Sequence, residues 1–264
     1  MNALASTVAS ATARPPGMPL RSTLRIYFGE IRDEFVKLLR IPAYTLMTIL
    51  PPVLFYYITA ASQQGRTDNA RYALAGFTAF GALSVGMFGV GVVLAMDRDR
   101  GLLALKRAFP MPAGAYLTSK LVLSSVLSGI IALLSSLVAI SVVNVPLPLP
   151  RLIALIGVNV IGVLPFCALG LYIGTLIKGA SSGAVLNAIY LPMSFLSGLW
   201  VPLSSVPHAL AITAPLWPAY HLAQLNRAAL ADIPASNLTI HLAYLVAMTI
   251  VLFALSYQRL RKRG

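Results

Sequence analysis

The chain has 264 residues, of which 58% are hydrophobic and only 10% are charged. Soluble domains carry about 25% charged residues, so this composition excludes an ordinary soluble domain and indicates a polytopic membrane protein. The formal net charge of +13 does not indicate nucleic-acid binding, because the basic residues flank apolar runs instead of forming one patch. The single cysteine, Cys167, excludes an intrachain disulfide and a cysteine-based metal cluster.

The amino-terminal part divides into a tail and an amphipathic segment. Residues 1–21 lack a continuous apolar core and are predicted to be a disordered tail, not a cleaved signal. In residues 22–40, apolar side chains recur every three or four positions with charged ones between them, which predicts an amphipathic helix. It is too charged to span a membrane, so we expect it to lie in the cytoplasmic interface. The alternative is a cytosolic helix packed on the next element.

Six later runs are long enough to cross a bilayer, whose hydrocarbon core of ~30 Å needs about 20 residues of helix. The predicted fold class is therefore an all-α integral membrane protein with six transmembrane helices. Residues 22–264 are expected to form one membrane domain, because no polar linker divides them. Pro51, Pro52 and Pro192 are expected to kink the first and fifth runs. The six runs are residues 43–61, 72–96, 115–143, 152–177, 183–201 and 238–257.

The distribution of Lys and Arg predicts the orientation. With the amino terminus inside, sixteen basic residues fall on inner segments and four on outer ones, so the positive-inside rule places both termini in the cytoplasm. A further apolar stretch, residues 206–231, would put the basic carboxyl terminus outside if it crossed fully. We therefore interpret it as a re-entrant or interfacial helical hairpin on the outer face. The prolines that break it are Pro207, Pro215 and Pro218, and its expected interfacial residues are Trp200, Trp217, Tyr220 and His221. The aromatic ones also fit an ordinary anchoring belt.

One densely charged island, residues 97–113, separates the second and third runs. Its charges cannot lie in hydrocarbon, where each costs roughly 2.5–3.5 kcal/mol at the centre of a helix. Apolar residues at helical spacing follow the first charges, which predicts a short amphipathic helix that contacts another protein. The alternative is an ordinary cytoplasmic loop with anchoring charges. The island contains the charged residues Asp97, Arg98, Asp99, Arg100, Lys106 and Arg107 and the residues Gly101, Leu102, Leu103 and Leu105.

The sequence contains no recognisable energy-coupling or catalytic chemistry. None of the seven acidic residues falls in a predicted spanning run, whereas proton-coupled carriers need a buried relay group. Residues 174–181 have the glycine spacing of a phosphate-binding loop, but Ala180 stands where the lysine is required. We therefore expect no catalytic residue, no metal, and no cofactor bound by this chain.

Two segments resemble motifs of the permease subunit of the type-2 ABC exporter family. The island reads Asp97-Arg98-Asp99-Arg100-Gly101-Leu102-Leu103-Ala104-Leu105-Lys106 and then Pro110, which is similar to the family signature Glu-Arg-Glu-x-Gly-Thr-Leu-Glu-x-Leu followed by a proline. Residues 191–198, with Pro202-Leu203 and residues 214–220, are similar to the Pro-containing segment and outer hairpin of the family. Three departures are Leu102 for Thr, Ala104 for Glu and Ala214 for the hairpin Asn.

The resemblance, which covers nearly the whole chain after residue 20, implies the following function. In a bacterial inner membrane, two copies of this chain, or one copy and a related permease, would form the pathway. Two separate ATPase subunits, carrying ATP and Mg, would dock on the ten island residues named above, 97–103 and 105–107. Pro202, Pro215, Trp217 and Tyr220 would form an outer gate, and lipid would surround the assembly. The uncharged runs, with polar residues such as Asn159 and Asn187, suit outward movement of a hydrophobic or amphiphilic drug, lipid or lipid-linked glycan. The alternatives are a passive channel and a non-transporting assembly factor.

Overall fold

The structure is a computed structural model that describes residues 20–40, 42–62, 66–103, 105, 113–230 and 238–263. All regular secondary structure within these residues is helical. Among these residues lie the α-helices α1 (Leu20–Arg40), α2 (Pro42–Ser62), α3 (Thr67–Gly86), α4 (Val93–Asp99), α5 (Ala113–Val142), α6 (Leu149–Gly162), α7 (Leu164–Gly174), α8 (Gly179–Leu196), α9 (His208–Ala211), α10 (Pro218–Leu230) and α11 (Leu238–Arg263).

Five helical segments are long and apolar enough to cross a membrane, and they coincide with the first, second, third, fourth and sixth predicted runs. The second is continuous from α3 to α4. The fourth joins α6 and α7 across Val163, because Pro165, in the first turn of α7, has no N–H with which to continue the hydrogen bonding of α6. The chain is thus a multi-pass helical membrane protein. The segments are Thr45–Ser62, Thr67–Asp99, Gly114–Val142, Leu149–Gly174 and Leu238–Arg259.

The fifth predicted run has different bounds in the structure. The helix α8 begins at Gly179 and ends at Leu196, four residues earlier at its start than predicted and five residues earlier at its end. Gly198 ends it because its φ of +67° lies in the left-handed region that favours glycine. With 18 residues, α8 is about 27 Å long, and it is not among the five membrane-length segments.

The second spanning segment forms the centre of the bundle. Residues 73–83 of α3 are all buried, because α2, α5, α7 and α10 pack around it. Within the apolar windows, 67% of residues are buried in the α3–α4 segment, but only 17% in α2 and 6% in α11. The two peripheral helices therefore present most of their apolar surface outward, as helices in contact with lipid do.

A π-helical turn, Met87–Val92, joins α3 to α4 inside the membrane-length segment. It packs against α7 so closely that the two backbones touch. A Cβ atom on Gly170 would lie 2.7 Å from the Met87 carbonyl oxygen, and one on Gly174 would lie 2.6 Å from that of Gly91. Glycine at these two positions is therefore required by the close approach of the two helices.

The segment between α8 and α11 forms short helical turns followed by α10. The 3₁₀ turns are Leu203–Ser205 and Ala214–Leu216, and prolines precede or begin these turns and helices. The helix α10 has 13 residues, or about 20 Å, which is shorter than the ~30 Å hydrocarbon core. It packs against α3, α6 and α11.

The predicted amphipathic helix is observed as α1, packed mainly on α5. Leu38 and Glu34 face the bundle and are buried, whereas Leu24, Phe28 and Leu39 remain exposed. The alternative expected this helix on the next element, α2, but it packs mainly on α5, and its exposed apolar stripe leaves room for the membrane interface. Residues 20 and 21, predicted as the end of the tail, are the first residues of α1, and residues 1–19 lie outside the described residues.

Candidate functional site

The charged island begins where the helix α4 ends. Arg100 follows the last helical residue, and the backbone N–H groups of Arg100 and Gly101 donate to the carbonyls of Met96 and Arg98 at 3.0 Å. Gly101 has a φ of +72°, a conformation that strongly favours glycine. A Cβ atom there would meet nothing within 4 Å, so the backbone angle alone accounts for the glycine. This turn ends the second spanning segment at residue 99 and redirects the chain.

Arg98 turns back into the protein. Its Nη1 atom donates to the carbonyl oxygens of Gly174 at 3.1 Å and Thr175 at 2.9 Å, and its Nη2 atom donates to that of Ile177 at 2.5 Å. These carbonyls belong to the end of α7 and to the turn after it. Carbonyls at a helix carboxyl terminus have no partner within the helix, so the guanidinium satisfies groups that would otherwise need water.

Asp99 binds the helix that follows the same turn. Its Oδ2 atom accepts a hydrogen bond of 2.6 Å from the backbone N–H of Gly179, the first residue of α8. Its Oδ1 atom lies 3.3 Å from Nη2 of Arg98. We name Arg98 and Asp99, with their partners in residues 174–179, the Arg98–Asp99 clamp. The clamp joins the carboxyl-terminal end of the second spanning segment to α7 and α8.

A second set of polar contacts joins the island to α5 and α1. The hydroxyl of Tyr116 donates to Oδ2 of Asp97 at 2.8 Å. One turn along α5, Nζ of Lys120 lies 2.6 Å from Oε2 of Glu34, and their side chains are only 8% and 4% exposed. Lys37 adds a 2.8 Å contact to the same carboxylate. Breaking such a buried pair strands a charge, so this contact fixes α1 on α5.

The pKa of Glu34 reports the balance of forces at this contact. Burial by itself would raise the pKa, but the charge and hydrogen bond of Lys120, followed by those of Lys37, outweigh it and lower the pKa below its ordinary value. Glu34 is therefore an ionised partner in the folded chain.

The remaining island residues divide by exposure. Arg100 and Gly101 are exposed, and Leu105 is 55% exposed. Leu102 and Leu103 are half-buried, with Leu103 packed against the core. The predicted contact residues Lys106 and Arg107 lie outside the described residues. The sequence interpretation missed the inward role of Arg98 and Asp99, because their partners are 76 to 80 positions away.

At the end of the bundle opposite the island, two of the predicted gate residues meet around a histidine pair. Nε2 of His221 lies 2.9 Å from the carbonyl oxygen of Pro215, and its Nδ1 lies 2.8 Å from Nδ1 of His241. The Tyr220 ring contacts both imidazoles edge-on, and Tyr244 stacks on His221 at 4.0 Å. The other two gate residues lie on neighbouring turns: Trp217 is half-buried against the core, and the Pro202 carbonyl accepts from the Ser205 N–H.

A buried polar cluster attaches α10 to the bundle. The Asn226 amide nitrogen donates to the carbonyl of Ala75 and to the hydroxyl of Thr78, both at 3.1 Å. The Asn159 amide nitrogen donates to Oδ1 of Asn226 at 3.1 Å and to the Leu155 carbonyl at 2.8 Å. Asn159 and Asn226 have no exposed surface. Asn159, expected to line a pathway, is therefore a packing residue that joins α6 to α10, whereas Asn187 is exposed on α8.

Arg227 attaches the same helix to the end of α8. Its Nη2 atom donates to the carbonyl oxygen of Gly198 at 3.1 Å, and the Tyr72 hydroxyl donates to the same oxygen at 2.8 Å. The guanidinium lies 4.1 Å from the centre of the Tyr72 ring, within reach of a cation–π interaction. Asn226 and Arg227 were not anticipated as attachment points in the sequence interpretation.

These features define a multi-pass helical membrane protein with a charged, braced island at one end and a proline-rich helical segment at the other. The chain belongs to the ABC-2 type transporter family, whose model matches residues 30–231. The Bacillus subtilis (strain 168) protein named "Putative transport permease YvfS" is 24% identical over 194 residues, which cover 71% of this chain and 78% of that protein. The permease resemblance is thereby confirmed, and permeases of this family generally work with an ATPase subunit.

Proposed function

We propose that this chain is the transmembrane permease subunit of an ATP-binding cassette exporter. It moves a hydrophobic or amphiphilic cargo outward with energy from ATP hydrolysed, with Mg, on a separate subunit. The observation that carries the proposal is the exposed position of Arg100 and Leu105, directly after the end of α4. The clamp connects this end of α4 to α7 and α8, and Tyr116 connects it to α5. A partner that pushes on such a segment moves helices and not merely a loop.

The docking surface combines charge and apolar contact. Arg100 and Leu105 are exposed, and Lys106 and Arg107 follow them in the sequence. Burying an exposed leucine of this kind contributes about 1.5–3 kcal/mol, while basic residues select an acidic partner surface and speed its association. Two permease copies, identical or related, each seat one ATPase subunit.

The proposed topology has six crossings, with both termini in the cytoplasm of a bacterial cell and the chain in its inner membrane. The membrane domain begins with α1 at Leu20, and the residues before it form the tail. The helix α8 makes the fifth crossing, since its ~27 Å nearly equals the hydrocarbon thickness. The segment from residue 202 to α10 forms the outer re-entrant hairpin, with Pro202, Pro215, Trp217 and Tyr220 at the gate. The sixteen-to-four distribution of basic residues supports this orientation.

The experiment reconstitutes the chain with the ABC ATPase encoded nearest to it and follows outward movement of an NBD-labelled phospholipid in vesicles. Leu105→Asn is expected to reduce co-purification of the ATPase and ATP-dependent lipid movement by about tenfold, the equivalent of 1.4 kcal/mol. The matched control is Leu149→Asn, at a leucine that is 66% exposed at the start of α6, and it is expected to retain both.

Equal loss in both leucine variants would contradict the proposed docking surface. Lipid movement by the wild-type chain without nucleotide would instead identify a passive channel. Normal ATPase binding without nucleotide-dependent movement of any amphiphile would identify a non-transporting assembly factor.

A further inference from the structure

We propose that Arg98 and Asp99 are positioning residues that pass movement of the docking segment to α7 and α8, and that they are not contacts for the ATPase. This role rests on the function proposed above and concerns the same segment. It separates the island into an outward part, which binds the partner, and an inward part, which connects to the bundle.

The Nη atoms of Arg98 already donate to groups within the chain and have no further N–H group to offer to a partner protein. Its two Nη atoms carry four N–H groups, and the structure gives them four acceptors: the carbonyls of Gly174, Thr175 and Ile177 and the carboxylate of Asp99. The side chain is only 32% exposed. An ATPase contact through the Nη atoms would have to break bonds within the chain.

The charges of the clamp match the two helix ends that they touch. The carboxyl terminus of α7 carries partial negative charge and binds the cationic Arg98, whereas the amino terminus of α8 carries partial positive charge and binds the anionic Asp99. Both contacts have the stabilising sign, and an exchange of the two residues would reverse both. The clamp is thus specific for the order Arg–Asp at this turn.

The backbones of α4 and of the start of α8 are also in contact beside the clamp. Movement of α4 is therefore passed to α8 by the backbone as well as by side chains. A Cβ atom on Gly179 would lie 3.0 Å from the Cα atom of Met96, and α8 packs along α4. The turn after α7 therefore lies directly against the end of the second spanning segment. Displacement of the segment after Gly101 reaches α7 and α8 through this contact and reaches α5 through Asp97 and Tyr116.

The test uses the full permease with its ATPase subunit in vesicles and compares Arg98→Ala with Arg100→Ala. Arg98→Ala is expected to retain ATPase binding. It is expected to raise the ratio of ATP hydrolysed to fluorescent NBD-labelled phospholipid moved by about fivefold or more, because about fivefold is the lower end of the usual coupling between two sites. Arg98→Lys is expected to be intermediate, because an ammonium cannot reproduce the planar fork. Arg100→Ala is expected to weaken ATPase binding, with an unchanged ratio for the assembled fraction.

A merely structural role would lower assembly, hydrolysis and lipid movement in proportion and leave the ratio unchanged, which would overturn the proposal. Loss of ATPase binding in Arg98→Ala to the extent seen in Arg100→Ala would also overturn it. If Arg98→Ala does not yield a folded permease in detergent, Asp99→Ala and Asp99→Asn replace it. The amide oxygen of Asn still accepts from Gly179, so only Asp99→Ala is expected to raise the ratio, and equal ratios would contradict the clamp.

A measurement without the ATPase separates failure of the clamp from failure of the proposed function. In the purified permease, Asp99→Ala is expected to accelerate hydrogen exchange of the Gly179 amide, because its acceptor is lost. Unchanged exchange would overturn the clamp. Absence of ATP-dependent movement by the wild-type assembly, with accelerated exchange in Asp99→Ala, would overturn the exporter function and the transmission role while leaving the contact itself intact.

Discussion

The two ends of this bundle hold their helices together by different contacts. At the island end, two ionised side chains, Glu34 and Lys120, bind each other and hold α1 on α5. At the opposite end, Arg71 and Arg227 donate to backbone carbonyls, and no carboxylate of the described residues pairs with either. Contacts to carbonyls and aromatic rings can be exchanged without stranding an opposite charge. The difference suits the proposed function, in which the island end receives force and the opposite end opens.

The largest effect is expected from a variant that breaks the buried ion pair at the island end. Lys120→Met leaves Glu34 buried with only Lys37 as its partner, and we expect a loss of about 3–5 kcal/mol of unfolding free energy. Thermal unfolding of the purified permease in detergent measures the change. Lys178→Met, at an exposed lysine, is the control, with an expected change within ~0.5 kcal/mol. Equal changes in the two variants would mean that the pair does not brace α1.

Acid should weaken the same contact. The pKa of Glu34 is lowered in the folded chain, so as the pH falls the Glu34 carboxylate takes up a proton in the unfolded chain before it does so in the folded chain. The free energy of unfolding therefore decreases as the pH falls from the ordinary pKa of Glu to the lowered pKa of the folded chain. Thermal unfolding in detergent at a series of acidic pH values measures this decrease. The part of the decrease that Glu34 causes should be absent in the double variant Glu34→Gln/Lys120→Met.

A smaller effect is expected from the neutral polar cluster nearer the opposite end. Asn226→Leu removes the donor to Ala75 and Thr78 and leaves the Asn159 amide short of a partner, which should cost about 1–3 kcal/mol. The same unfolding measurement applies, and Asn187→Leu on the exposed face of α8 is the matched control, with little expected change. A cost for Asn226→Leu as large as that for Lys120→Met would remove the contrast between the two ends.

The smallest effect is expected from the pair of His221 on α10 and His241 on α11. The Pro215 carbonyl only accepts, so Nε2 of His221 carries hydrogen and its Nδ1 accepts from His241. Burial lowers the pKa of His221, although the hydrogen bond to Pro215 opposes it. The groups that face it are His241, Tyr220 and Tyr244. As the pH falls below 6.5, His221 therefore takes up a proton in the unfolded chain before it does so in the folded chain, and the free energy of unfolding decreases.

Unfolding temperatures between pH 7.5 and about pH 5 measure this effect. The wild-type chain should lose more stability over this range than His221→Asn, which cannot titrate. Parallel curves for the two proteins would show that the histidine pair does not contribute to holding α10 on α11.

The sequence predicted those elements that depend on local pattern. Hydrophobic runs located five membrane-length segments, and the spacing of apolar and charged residues located α1. The exact end of α8 was missed because Gly198, which terminates the helix, stands inside an apolar run that continues to Val201. The contacts of the candidate site were missed for another reason. Arg98 and Ile177 are 79 positions apart, and Lys120 and Glu34 are 86 apart, so the sequence showed the charges without showing their partners.

The π-helical turn Met87–Val92 has a consequence for where the clamp points. Such a turn accommodates an additional residue within an otherwise regular helix, and each residue of an α-helix rotates the next by about 100°. Removal of one residue from this turn would restore an ordinary helix and leave the direction of residues 97–99 nearly unchanged. The same residues wound as a regular α-helix would instead turn residues 97–99 by roughly that angle, away from the end of α7. The aim of Arg98 and Asp99 is therefore set about two helical turns away, inside the membrane-length segment, by a local irregularity of the backbone.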